Sequence, residues 1–298
     1  MRRRSVIGIA AGLVLIAGLE GSASPVPPPG FLSDFAWNMS DDRFGGISAI
    51  ELSADGLAFA ALSDQGAFTS GTVTRDLQGR ITAVDARPMD LLLDATGKPF
   101  DAKRNDSEGL AVFADGTAYI SFEGGARVMQ FDGLNSAGKA LPTPREFAAM
   151  QNNSALEALA IDAEGTLYTL PERSGALTKP FPVYRFKNGK WDAKLQIPRS
   201  GTYLPVAADF GPDGQFYLLE RQFRGLAGFS SRLSRFSLAD DAFGPPQLLI
   251  ETPVGLHDNL EGLSVWRDGS GQLRATMVSD DNFNPFLRSQ IVEYRLPD

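Results

Sequence analysis

The chain contains no cysteine and a single histidine, His257, among 298 residues. Without thiols there is no thiolate nucleophile, no disulfide staple and no Cys-based zinc site. With one imidazole and no G-x-S-x-G elbow, a Ser-His-Asp hydrolase has no support. Gly-rich nucleotide motifs are also missing, since Phe122-Glu123-Gly124-Gly125 reads as a turn. Positive charge is scarce: 28 Lys and Arg stand against 36 Asp and Glu, a net charge of −8. A nucleic-acid partner is therefore excluded, because phosphate-backbone binding needs a cationic face. Long apolar runs are scarce too. The one at the amino terminus, Val6 to Leu19, is shorter than the roughly 20 residues a membrane span requires.

Three arginines before that run and small residues after it make residues 1–23 an export signal, cut after Ala23. Arg3-Arg4-Ser5-Val6-Ile7 resembles a twin-arginine signal, and a Sec signal with a generous basic start explains the same letters. Either places the mature chain in the periplasm or outside the cell, with no stable membrane insertion. Cleavage removes three arginines and Glu20, which leaves 25 basic and 35 acidic residues and a net charge of −10. Residues 24–31 (SPVPPPGF) form a stiff proline-rich linker, and 32–298 form one domain.

The chain as a whole is rich in what turns need: 31 glycines and 19 prolines, with 10% aromatics. Its organisation emerges from a repeat. EGLAVFADGTAYISFE (from Glu108) matches EALAIDAEGTLYTLPE (from Glu157) and VAADFGPDGQFYLLER (from Val206). EGLSVWRDGSGQLRATMVSDDN (from Glu261) is the same unit with a longer turn, and GGISAIELSADGLAFAALSDQG (from Gly45) is a looser copy. Two further strand-like pieces follow each copy. Four antiparallel strands per roughly 50 residues predict an all-β fold, a β-propeller of four-stranded blades. Five blades are visible, and the long first interval leaves room for a sixth. The last copy lacks a fourth strand, which DFAWNMS (Asp34 to Ser40) supplies, so the two termini close the ring.

In such a blade the start of the first strand and the end of the second share one face. Glu108, Glu157 and Glu261 hold the starting position; Val206 stands there in the fourth copy. Glu123, Glu172, Glu220 and Asp280-Asp281 hold the finishing position, with Asp64 a rough counterpart. A ring of carboxylates at one channel mouth must be neutralised. Arg127, Arg173, Arg221 and Arg224 could do so as ion pairs, or a cation could. Oxygen-only ligands select a hard metal, Ca²⁺ before Mg²⁺. The candidate ligands are Glu108, Glu157, Glu261, Glu220, Asp280, Asp281 and Asn282, with Asn259 able to add an oxygen. Asp55, Asp115, Glu164, Asp213 and Asp268 are turn residues.

SEGLAV (Ser107 to Val112), LEALAIDAEGTLYTLPE (Leu156 to Glu172), FYLLERQF (Phe216 to Phe223), NLEGLSV (Asn259 to Val265) and VSDDNF (Val278 to Phe283) resemble the phytase-like family, "esterase-like activity of phytase". The resemblance extends from about Asp41 to the carboxyl end, and it implies ester or phosphoester hydrolysis by an exported propeller. More distantly, the pattern is similar to calcium-dependent lactonase propellers of the gluconolactonase and paraoxonase types. The chemistry expected is metal-assisted hydrolysis of a small ester or phosphoester. Glu261 is the central acid, His257 a general base four residues away, and Arg173 and Arg221 fork onto substrate oxygens. The alternatives are a non-catalytic binding propeller and a lactonase.

Overall fold

The computed structural model describes residues 25–298, apart from 102, 103, 151–154, 240, 285 and 298. The export leader expected at 1–23 lies outside the described residues. Each sequence repeat becomes the inner hairpin of a four-stranded antiparallel sheet, and the Asp-Gly and Glu-Gly pairs make its turn. The innermost strands are Ile47–Leu52, Ser107–Val112, Leu156–Ile161, Leu204–Phe210 and Asn259–Arg267, which belong to blades one to five. Each packs on the next, and the fifth packs on the first, so they surround a central channel. The protein is a five-bladed β-propeller.

The long first interval holds no sixth blade. It is taken up by the nine-residue strand Ala67–Arg75, its partner Ile81–Ala86, and the two-residue strand Asp90–Leu91 that pairs back onto Ala67–Arg75. Ring closure comes from the amino terminus. Phe31–Ala36 pairs antiparallel with Gln290–Arg295 as the outer strand of blade five, beginning three residues earlier than the sequence pattern suggests. Trp37 then locks the strand in place. Its N–H bonds to the Ser289 carbonyl at 2.9 Å, and its buried ring meets Phe44 and Phe59 edge-on. Burying a side chain of that size stabilises the closure by about 2–3 kcal/mol.

Hydrophobic clusters occupy all five blade–blade contacts. Every inner hairpin also carries a bulge at the same place, after Ile47, Ser107, Leu156, Pro205 and Leu260. The extra residue there is Ser48, Glu108, Glu157, Val206 or Glu261, and a bulge turns such a residue out of the ladder toward the channel. The residue after it is always small: Ala49, Gly109, Ala158, Ala207 or Gly262. The reason is close approach of the next blade. A Cβ on Gly262 would lie 2.5 Å from Val278 and 2.9 Å from the Ala49 backbone, and one on Gly109 would lie 2.7 Å from the Glu157 carbonyl. The Glu-Gly pair in the sequence thus joins an outward-turned acid to a packing requirement.

Candidate functional site

The bulges and the register of the second strands define the ring of side chains at the channel mouth. Ile47, Ser107, Leu156, Pro205 and Leu260 pair with Ser63, Phe122, Pro171, Glu220 and Ser279. The residue following each of these partners is the finishing position: Asp64, Glu123, Glu172, Arg221 and Asp280. Blade four thus supplies Val206 and Arg221, where the other blades supply mainly acids. Glu220, expected as a ligand, does not join the ring. It lies on the opposite face of its strand, in the field of Arg232 and Arg199, and burial drives its carboxyl up to about 7. One residue along a strand exchanges faces, and this one-place shift swaps an acid for an arginine.

Arg221 organises one side of the mouth. Its guanidinium donates to Asn259 Oδ1 and Glu261 Oε1 and reaches Glu172 Oε1 at 3.5 Å. Asn259 Nδ2 in turn donates to Glu261 Oε1 at 2.8 Å and reaches Asp280 Oδ2 at 3.4 Å. Burial works against the charge of Arg221, but Glu261, Glu157, Glu172 and Asp280 together hold its pKa above the ordinary value. Arg173 is a more exposed companion, 3.3 Å from Glu172.

The other side lacks such a clamp. Asp106, Glu108 and Glu123 bring one carboxylate oxygen each to within 4.8 Å of one another. Desolvation first, then the charges of Glu157, Glu261, Asp106 and Glu123, pushes Glu108 well above the usual carboxylate range. Glu123 is raised by burial to about 7, although it accepts the Ala155 N–H at 2.8 Å. Burial raises Glu157 too, and Arg221 pulls it back only in part. Asp64 is held at about 7 by burial and then by Glu261, and Asp280 at about 8 for the same two reasons. At neutral pH this ring holds protons that a cation would displace.

Three sequence-predicted residues take other duties. The His257 ring does not reach the mouth. It is buried inside blade five with Nε2 2.8 Å from the Tyr294 hydroxyl and its face near Phe31. Burial lowers its pKa to about 4, and the charges it senses are Asp34, Asp258 and Arg288 rather than any ring acid. It is no general base for chemistry at Glu261. Asp281 is a structural clamp: Oδ1 accepts the N–H groups of Gly46 (2.9 Å) and Phe283 (3.0 Å), and Oδ2 accepts the Ser289 hydroxyl (2.9 Å). Asn282 is an exposed turn residue in left-handed conformation (φ 50°), and its N–H bonds to Asp280. Arg127 is also spent elsewhere, with its guanidinium on the carbonyls of Gly124, Gly125 and Arg104 and over the Phe122 ring.

The residue of the acid cluster missed in the sequence was Asp106. Its signal is positional: it stands two residues before Glu108, as Asn259 stands two residues before Glu261.

A family model, "Phytase-like: Esterase-like activity of phytase", matches residues 42–283. The chain belongs to that family. The phytase-like match covers all five inner strands and every acid of the mouth. No match is found among the curated proteins. Among solved structures, the phytase-like chain is similar to the catalytic domain of a GH62 α-L-arabinofuranosidase from Coprinopsis cinerea. The identity is 14%, the TM-score 0.54, and 90% of this chain and 98% of that one are covered. A second α-L-arabinofuranosidase, from Podospora anserina, gives 13%, 0.50, 91% and 98% in the same order. A gluconolactonase from Xanthomonas campestris gives 13%, 0.46, 86% and 74%. These likenesses concern the fold.

Proposed function

We propose that this phytase-like propeller is an exported, calcium-dependent hydrolase of small esters or phosphoesters, acting at the acidic mouth. The observation that carries the reading is the division of charge. Three clustered carboxylates without an arginine clamp, Asp106, Glu108 and Glu123, share one opening with a half-buried arginine, Arg221. The acid side fits a hard cation: its donors are all oxygen, they converge, and burial raises all three, with only Asp106 eased by the charge of Arg127. When bound there, calcium supplies Lewis-acid polarisation of a substrate oxygen.

The remaining roles fall to side chains of the chain itself. Arg221 is oriented by Asn259, Glu261 and Glu172, and its planar guanidinium binds a carbonyl or phosphoryl oxygen. Glu261 positions Arg221, so its contribution is indirect. Glu157 is assigned the role of proton acceptor, because the charge of Arg221 favours its ionised form against the burial that raises it. Arg173 extends the cationic side outward for a larger acid group.

The test is turnover of p-nitrophenyl acetate, p-nitrophenyl phosphate and a simple lactone, in EDTA and in calcium. Turnover that needs calcium and disappears in Glu108→Gln is the expected result. Failure of all three substrates with calcium present would refute the enzyme reading.

A further inference from the structure

The opposite end of the channel, where the Asp-Gly turns gather, opens into a cavity of about 1200 Å³. Its walls include Val112, Phe113, Ile161, Phe210 and Val265. Into it face Glu51 of blade one and Asp209 of blade four, neither of which belongs to the acidic mouth. Both sit four residues before their turn acid, and the same place in the other blades is Ala111, Ala160 and Ser264.

A structural duty explains the position but not the charge. Ser264 accepts the Leu52 N–H at 3.0 Å, Asp209 accepts the Val265 N–H at 2.6 Å, and Glu51 accepts the Val112 N–H. Each side chain therefore latches the following blade, and Ser264 performs the task with a hydroxyl. Two carboxylates at equivalent places add negative charge that the latch does not need. Burial raises both, with Asp209 reaching about 7, and the charge of Asp209 raises Glu51 further. Among the described residues no lysine or arginine forms an ion pair with either; Arg185 at the cavity rim is engaged by Asp192 and Asp241. Glu51, half-buried, also accepts the Ser264 hydroxyl at 3.4 Å, but neutral donors leave both carboxylates without a positive partner. The cavity far exceeds a bare metal ion in size, and beside Asp162, Glu164, Arg185, Asp241 and Arg267 its walls carry the apolar side chains of Phe113, Phe210 and Val265.

We propose that this cavity is a second binding site, which takes an organic ammonium ion with an apolar body. The ammonium sits between Glu51 and Asp209, and the body packs on Phe113, Phe210 and Val265.

The test is calorimetric titration of the full chain, in calcium, with 2-phenylethylammonium and with its neutral analogue 2-phenylethanol. The ammonium should bind, and the alcohol should bind at least about tenfold more weakly. Glu51→Gln with Asp209→Asn keeps oxygen acceptors for the latches, so a melt should show a folded protein. That double variant should lose at least about tenfold in ammonium affinity. Mouth substitution Glu108→Gln should leave the affinity unchanged. Equal binding of the two probes, no ammonium binding, wild-type affinity in the folded double variant, or competition by calcium alone would each overturn the proposal. The comparison of the two probes on the unmodified protein decides the matter even if the variant fails to fold.

Discussion

Asp64, Glu123 and Asp280 hold their protons in the folded chain to about 7, 7 and 8, because burial and then, for Asp64 and Asp280, the charge of Glu261 disfavour the ionised forms. In the unfolded chain the same groups are ionised by about pH 5. Raising the pH through the folded values therefore removes protons from the native state alone, and stability falls. Between about pH 6.5 and 8.5 the linkage amounts to roughly 1 kcal/mol each for Asp64 and Glu123 and roughly 2 for Asp280, and screening with mutual coupling reduces the total to about 2 kcal/mol. In EDTA, a domain of this size should lose about 4–8 °C in melting temperature over that interval. Calcium binds the deprotonated forms, so its stabilisation should be larger at about pH 8.5 than at 6.5. Glu220 and Asp209, also near 7, lie away from the mouth and should leave a residual slope that calcium does not remove. The interval stops at about 6.5 because His257 acts with the opposite sign below it. Its folded ring, held near 4, stays neutral while the unfolded one takes a proton. A calcium-free melting temperature that is flat or rising over the interval, or a calcium increment equal at both ends, would refute the reasoning.

Arg221→Lys keeps the charge but loses the planar fork. Hydrolysis should fall by about 10²-fold or more, and the melting temperature should change little, checked by steady-state kinetics beside a thermal scan. His257→Gln should leave turnover at neutral pH within about twofold, since the ring is remote from the mouth acids. Glu293 is fully buried and binds Arg75 through both oxygens, at 2.5 and 2.8 Å, tying blade five to blade one. Glu293→Ala strands that arginine and should cost about 3–5 kcal/mol in urea unfolding. Gly262→Val should prevent a cooperative fold altogether, visible as a lost thermal transition, because the added atoms meet Val278 and the Ala49 backbone.

The blade architecture and the mouth were legible because hairpins repeat in sequence, and a turn acid at a fixed place sets the register of both strands. Counting from that acid brings Glu108, Glu157 and Glu261 to one face, and the structure has them there. The same count, applied strictly, gives Arg221 at the sixteenth place of its repeat; the chemical appeal of an acid made Glu220 the expectation instead. Strand periodicity decides such cases, since neighbouring residues point to opposite faces. His257 was misleading for another reason. Four residues from Glu261 in sequence says nothing about a side chain in a blade-to-blade crossing, and the apolar surface of Phe31 and Tyr294 captured the ring. Asp281 and Asn282 show how ligand-like letters are claimed by local geometry: one caps backbone N–H groups and the other makes a left-handed turn. The Glu51 and Asp209 pair was invisible without the fold, because only radial stacking makes blade one and blade four near neighbours across blade five.

Phe31 pairs with Tyr294, almost the whole polypeptide away. A ribosome delivering this chain therefore makes four sheets and most of a fifth before the ladder that seals them can form, so the slowest contact to find is also the final one available. Until then the ladder edge of Gln290–Arg295 is a template for any passing strand, including the amino-terminal strand of a sister molecule, and exchange of that strand is the natural route to an intertwined dimer. Trimming the amino end past Phe31 would leave every molecule permanently in that adhesive state.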